Sequence, residues 1–103
     1  MHPTIVLPHL VAGRDLADAM VDGLAASLHD RVVVVDARAT SSGSGSFASQ
    51  LVQRVLVDEG ARSLVLVGAP ARFVRAVQES AERQHVTPRV ELADRAPQPA
   101  QAS

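Results

Sequence analysis

The stretch RVVVVDARATSSGSGSFA, residues 31–48, decides the fold class of this chain. Its four consecutive valines, closed by Asp36, are typical of a parallel strand that is buried on both faces. Small and hydroxyl-bearing residues follow from Thr40 to Ser46, and an amphipathic helix is predicted to begin near Phe47. A strand, a loop and a helix in this order form the repeating unit of an α/β fold.

The same alternation extends in both directions from this stretch. Apolar runs predict strands at residues 4–7 and 63–67, and the alternating residues 89–92 predict a short edge strand. Three helical stripes lie between the strands: Leu16, Met20, Leu24 and Leu28; Phe47, Leu51 and Val55; Phe73, Val77 and Ala81. The order β-α-β-α-β-α-β predicts a single α/β domain over residues 1–92, with a four-stranded, mostly parallel sheet and three helices. Residues 93–103 are too poor in apolar side chains to order themselves and are predicted to form a flexible tail.

Composition excludes several classes of function. The chain has 103 residues and no cysteine, which excludes disulfides and thiolate chemistry. A net charge of -1 gives no electrostatic reason to expect nucleic acid or an anionic membrane as a partner. The N-terminal residues lack a signal-peptide pattern, and no apolar run approaches the ~20 residues of a membrane-spanning helix. We therefore expect a cytoplasmic protein.

Residues 40–46, which we call the Ser/Gly loop, are the candidate site. They follow the carboxyl end of a predicted strand, where the ligands of α/β sheets bind. The helix after the loop offers free N–H groups and a positive dipole end. Ser46 is the first candidate to receive or contact a phosphate, and Ser44 is the second. Either serine can instead cap the helix, and the two roles are compatible. The residues expected to form the loop and its docking surface are Asp36, Ser42, Gly43, Gly45, Phe47 and Ser49.

An alternative interpretation treats the loop from Gly43 to Ser46 as a cradle for a small anion or a nucleotide. The phosphate-loop pattern, Gly and four residues followed by Gly-Lys-Ser/Thr, is absent, and no Lys lies near. Asp36 can orient Ser44 or a metal, or it can end its strand and accept loop N–H bonds.

Catalysis and metal binding are not predicted. Ser46, His9 and Asp36 supply a nominal nucleophile, base and orienter, but one residue between Gly43 and Gly45 breaks the Gly-x-Ser-x-Gly spacing. The histidines at positions 2, 9, 29 and 85 lack the spacing of metal ligands. We expect a protein that is not an enzyme and needs no cofactor.

Asp36, Ser44, Ser46, Phe47 and Ala48, with Leu51 following, resemble the motif of the bacterial STAS-like domains. The likeness covers roughly residues 13–92 and includes a helix that opens Gly-Arg-Asp-Leu at residues 13–16. It implies a relation to the anti-sigma-factor antagonists, which are non-enzymatic partner-switching modules that bind a GHKL-type ATPase kinase and are phosphorylated on a serine.

By offset from the strand's Asp, the regulatory serine of those proteins corresponds to Ser46. The chain departs from their Asp-Ser-Ser-Gly pattern at two places, because Ser44 replaces the Asp and Gly45 replaces the first Ser. The expected partner is thus a GHKL-type ATPase kinase or an anti-sigma factor. A second copy of the chain is the other partner suggested, since an exposed edge strand near Val90 can form a homodimer.

Overall fold

The computed structural model describes residues 2–24 and 27–94, and it confirms the predicted α/β domain. The strands are β1 (Thr4–Val6), β2 (Leu10–Val11), β3 (Val32–Asp36), β4 (Ser42–Gly43), β5 (Ser63–Val67) and β6 (Val90–Ala93). The helices are α1 (Arg14–Asp22), α2 (Gly45–Val52) and α3 (Ala71–Arg83). The four main strands and three helices alternate along the chain as the apolar pattern predicts.

The main sheet contains four parallel strands in the order β1-β3-β5-β6. Each crossover therefore moves one place in the same direction, and right-handed crossovers of this kind place their helices on the same face of the sheet. Helix α2 lies between α1 and α3 and contacts both. Because of this arrangement, the start of α2 lies in the middle of the helical layer, at the carboxyl edge of the sheet.

The two faces of the sheet carry different apolar clusters. Val33, Val35, Leu64 and Leu66 belong to the main core together with buried residues of all three helices. The alternate strand positions, Val34, Val65 and Val67, form a second cluster with Val32 and Ala93. In the described part of the chain, this second cluster consists of strand residues alone.

Several details differ from the sequence prediction, among them the end of β1, which is Val6 rather than Leu7. Helix α1 ends at Asp22, whereas the apolar stripe from Leu16 to Leu28 predicted a longer helix. Leu28 is buried, but it lies outside α1. Gly23 closes α1 because glycine is a poor helix former. Helix α2 continues as a π-helix from Gln53 to Asp58. Strand β6 includes Ala93, which the prediction had given to the tail; residues 95–103 of that tail, like residues 25–26, lie outside the described residues.

None of the helices in the described ranges is long and apolar enough to cross a membrane.

Candidate functional site

The Ser/Gly loop is held in place by a small parallel ladder that the sequence did not reveal. Strands β2 and β4 pair Leu10 with Ser42 and Val11 with Gly43. The Ser44 N–H donates to the Val11 carbonyl at 3.0 Å. The loop therefore has a fixed path before α2 begins, and two-residue strands of this kind carry too little apolar periodicity to be predicted.

Loop residues before β4 add further bonds to the same segment. The Thr40 hydroxyl is buried and donates to the Pro8 carbonyl at 2.8 Å. The Ser41 N–H donates to the His9 carbonyl at 2.9 Å. The first bond gives the buried Thr40 hydroxyl a partner, and the second ties the exposed Ser41 to the segment before β2.

Ser44 caps α2. Its backbone is extended, and its Oγ accepts from the N–H of Phe47 at 3.1 Å and from the N–H of Gly13 at 3.2 Å. The second bond joins the start of α2 to the start of α1. The hydroxyl of Ser44 thus stabilises the ends of two helices at once.

Ser46 is the second residue of α2, and its side chain is exposed. Its Oγ lies 3.1 Å from the Oγ of Ser44, and either hydroxyl can donate. The two serines therefore differ in role: Ser44 holds the helix start, while Ser46 presents a hydroxyl to solvent beside it.

Arg14 is a member of the site that sequence analysis missed. Its Nη1 donates to the Oε1 of Gln50 at 3.0 Å. Gln50 lies four residues after Ser46, so the two side chains share one face of α2. The Arg14 guanidinium thus lies at the turn of α2 that follows Ser46. This contact joins distant segments of the chain, and no local sequence pattern predicts it.

Two residues predicted for the docking surface, Phe47 and Gly43, lie against the ring of Phe73. Phe47 is fully buried and its ring centroid lies 6.0 Å from that of Phe73, so its place on the predicted docking surface is wrong. A Cβ on Gly43 would stand 2.5 Å from the Cδ1 of Phe73, which explains why this position lacks a side chain. Phe47 is apolar and lies on the face of α2 that is directed at the sheet, so its side chain packs in the core instead of on the surface.

The remaining predicted residues lie around the loop with different exposure. Ser42 and Gly45 are exposed, and a Cβ on Gly45 would meet no atom within 4 Å. Ser49 is half-buried, and its carbonyl accepts from the Nε2 of Gln84 at 3.2 Å. Ser42, Gly45 and Ser46 thus form the exposed part of the predicted surface.

Asp36 is occupied by Arg38 rather than by Ser44. The Arg38 Nε donates to Oδ1 at 3.0 Å, Nη2 donates to Oδ2 at 2.8 Å, and the Arg38 N–H adds a bond at 3.1 Å. The Arg38 guanidinium lowers the pKa of this carboxyl below its usual value. Asp36 therefore ends its strand and accepts loop N–H bonds, as one of the two interpretations predicted.

The nominal catalytic trio does not assemble. The Oγ of Ser41, not of Ser46, lies 3.0 Å from the Nε2 of His9, and Asp36 is bound to Arg38. Within residues 2–24 and 27–94, no group of three His, Cys, Asp or Glu side chains could hold a metal ion. A hollow of about 260 Å³ lies elsewhere, between β6 and the start of α3.

The geometry defines a class: a two-layer parallel α/β domain with an exposed serine in the first turn of its central helix. Comparisons with protein-family models, curated proteins and solved structures give no match for this chain. The STAS-like character of the domain accordingly stays a prediction made from the residues.

Proposed function

We propose that this chain is a cytoplasmic, non-enzymatic regulatory module of the STAS-like kind that binds a protein partner through the start of α2. The partner is a GHKL-type ATPase kinase or an anti-sigma factor, and Ser46 is the residue whose phosphorylation switches binding. Ser42, Gly45 and Ser46 form the exposed part of this surface, which we call the α2 surface.

One observation carries the proposal: the two neighbouring serines have separate tasks. The Oγ of Ser44 accepts hydrogen bonds from the N–H groups of Phe47 and Gly13. Ser46 stands exposed in the first turn with its hydroxyl directed to the same edge. A modification of Ser46 therefore leaves the cap in place.

Electrostatics at this position suit a phosphoserine inside the folded chain. The added charge of about -1.5 to -2 lies at a helix N-terminus, where negative charge is favoured. Arg14, which contacts Gln50 one turn away, offers a guanidinium for a charge-assisted hydrogen bond. The modification thus changes the charge of the α2 surface without unfolding the domain, and a partner that docks on the neutral surface is released.

A pull-down with the GHKL-type ATPase encoded nearest to this chain tests the proposal. Wild type and Ser46→Ala should be retained, and Ser46→Asp should be lost. Ser27→Asp is the matched control and should be retained, because it adds the same charge to an exposed serine that lies outside the α2 surface. Equal retention of wild type and Ser46→Asp contradicts the switch.

A second candidate, binding of a small anion at the same place, is favoured by the proximity of Arg14 to the paired starts of α1 and α2. Against it, Gly43 is packed on Phe73 and the Ser44 hydroxyl already accepts two N–H bonds. A thermal-shift assay with phosphate and nucleotides separates the candidates. A ligand at a hundred times its Kd should add about 2.7 kcal/mol to the free energy of unfolding.

A further inference from the structure

Strand β6 forms one edge of the four-stranded sheet, and we propose that a second copy of this chain pairs with it in antiparallel orientation. Within the described ranges, β5 is the one strand that pairs with β6. Leu92, in the middle of β6, is 50% exposed and lies on the helical side of the sheet with Leu66. An apolar side chain on an unpaired edge is a template for another strand.

The main chain of β6 is oriented for this pairing. The Ala93 carbonyl accepts from the Gly68 N–H at 3.0 Å, so the polar groups of Ala93 point inward, toward β5. Successive residues of a strand direct these groups to opposite sides, and those of Leu92 therefore point away from the sheet. Two copies of Leu92 that face each other can exchange both N–H···O=C bonds.

Charge selects the register. If the two copies are related by a twofold axis perpendicular to the sheet, the helices of both copies lie on the same side of the joined sheet. Side chains that lie opposite each other across the two β6 strands are then on the same face of the sheet. Among the registers that pair at least three of the four residues of β6, this condition allows Leu92 to lie opposite the partner's Leu92, or Glu91 opposite the partner's Glu91. The second register opposes two like charges, whereas the first places Glu91 opposite the partner's Ala93 and joins the two leucines.

Apolar surface at the joint supports the same register. The hollow of about 260 Å³ beside Leu92 is bordered by the apolar side chains of Leu66, Ala69 and Val74 and, at one side, by Asp94. The partner's Leu92 approaches from the helical side, where this hollow lies, so pairing removes apolar surface from water on both copies.

The opposite edge of the sheet is formed by β1, where Val6 is 67% exposed but a proline stands on either side of the strand. The Leu7 N–H donates to the Asp36 carbonyl, so the backbone polar groups of Leu7 are directed toward β3. Those of Pro8, the next residue, face away from the sheet, and proline has no N–H to offer a further strand. Pro3 precedes β1 at its other end. Strand β6 has no proline between Val90 and Asp94, and we therefore place the pairing at this edge, with Val6 on β1 as the competing position that the test below includes.

Disulfide mapping tests this inference cleanly because the natural chain has no cysteine. Opposed residues in a hydrogen-bonded pair have Cα atoms about 5.5 Å apart, within the range a disulfide spans. Under mild oxidation, Leu92→Cys should form a covalent dimer at least tenfold faster than Glu91→Cys or the edge control Val6→Cys. Light scattering of the untreated wild type should show a mass that rises to twice 10.8 kDa with concentration.

The inference is overturned by a wild type that stays monomeric at every concentration, by faster cross-linking at Glu91 or Val6 than at Leu92, or by equal cross-linking of all three variants. Leu92→Lys, at a half-exposed position, should shift the wild-type equilibrium to monomer while far-ultraviolet circular dichroism stays unchanged. A dimer that survives Leu92→Lys also contradicts pairing at β6. None of these outcomes depends on the α2 surface.

Discussion

At the residue scale, the Ser/Gly loop is a set of individually constrained positions rather than a uniform flexible linker. Gly43 faces the Phe73 ring, Ser44 caps α2, Gly45 faces open space, and Ser46 is exposed. These neighbouring positions therefore respond differently to the same kind of substitution.

The two glycines give the sharpest contrast. Gly43→Ala forces a methyl group against Phe73 in the core and should lower the free energy of unfolding by about 1–3 kcal/mol. Gly45→Ala, in the first turn of α2 with no atom within 4 Å of the new Cβ, should leave stability unchanged or slightly raised. Urea unfolding of both variants measures the difference. Equal stability would show that the loop does not pack as described.

The two serines provide the second contrast. Ser44→Ala removes the acceptor for the N–H groups of Phe47 and Gly13, and it should cost about 1–2 kcal/mol of stability. Ser46→Ala should change stability by less than about 0.5 kcal/mol, because its hydroxyl is exposed. Thermal unfolding by circular dichroism compares them. A larger loss of stability in Ser46→Ala than in Ser44→Ala would show that Ser44 is not the residue that caps α2.

At the element scale, one arginine joins α1 to the end of α2. Arg54, from the π-helical continuation of α2, donates to Asp18 at 3.0 Å and to Asp22 at 2.8 Å. Its side chain is 18% exposed, which is low for an arginine in a surface ion pair. Because α1 and α2 are joined at their starts by Ser44 and Gly13, Arg54 fixes the other end of the pair.

Arg54→Met keeps much of the aliphatic contact but removes the hydrogen bonds to both carboxylates. We expect a loss of about 1–2 kcal/mol in the free energy of unfolding. Arg75→Met, on the exposed face of α3, is the matched control and should be near neutral. Chemical denaturation of the two variants is the measurement, and an equal response would indicate that the Arg54 contacts add nothing to helix packing.

At the scale of the whole molecule, the order of elements was predictable because buried strands and amphipathic helices leave strong periodic patterns. Val32 to Val35 and Leu64 to Val67 mark the two central strands in this way. The β2–β4 ladder was not predictable, since two residues per strand carry no period. The link from Arg14 to Gln50 was hidden because it joins segments 36 residues apart.

The candidate site was predicted in position but only partly in composition. Ser44, Ser46 and Gly45 lie at the start of α2 as expected, whereas Phe47 is in the core. Helical periodicity places Phe47 on the inward stripe of α2, so the same pattern that predicted the helix could have excluded this residue from the surface.

Acid sensitivity is a property of the whole molecule. Hydrogen bonds from Gln50 and Arg54 lower the pKa of Asp18, and arginine partners lower the pKa values of Asp30 and Asp36 in the folded chain. Folded pKa values below the unfolded ones contribute stability above about pH 4, and this contribution is lost as the pH falls through the folded values. The free energy of unfolding should therefore fall as the pH drops below about 4. Arg38→Gln should make that fall shallower, and an unchanged slope would contradict the role of the Arg38–Asp36 pair.

The central claim is that the charge on Ser46 controls partner binding at the α2 surface. Isothermal titration of a GHKL-type ATPase from the same organism with the unmodified chain, and with a chain carrying phosphoserine at position 46, measures this most directly. The account predicts a Kd at least tenfold weaker for the phosphorylated chain, about 1.4 kcal/mol, with an unchanged far-ultraviolet spectrum. Equal affinity of the two forms, or no binding by either, would contradict it.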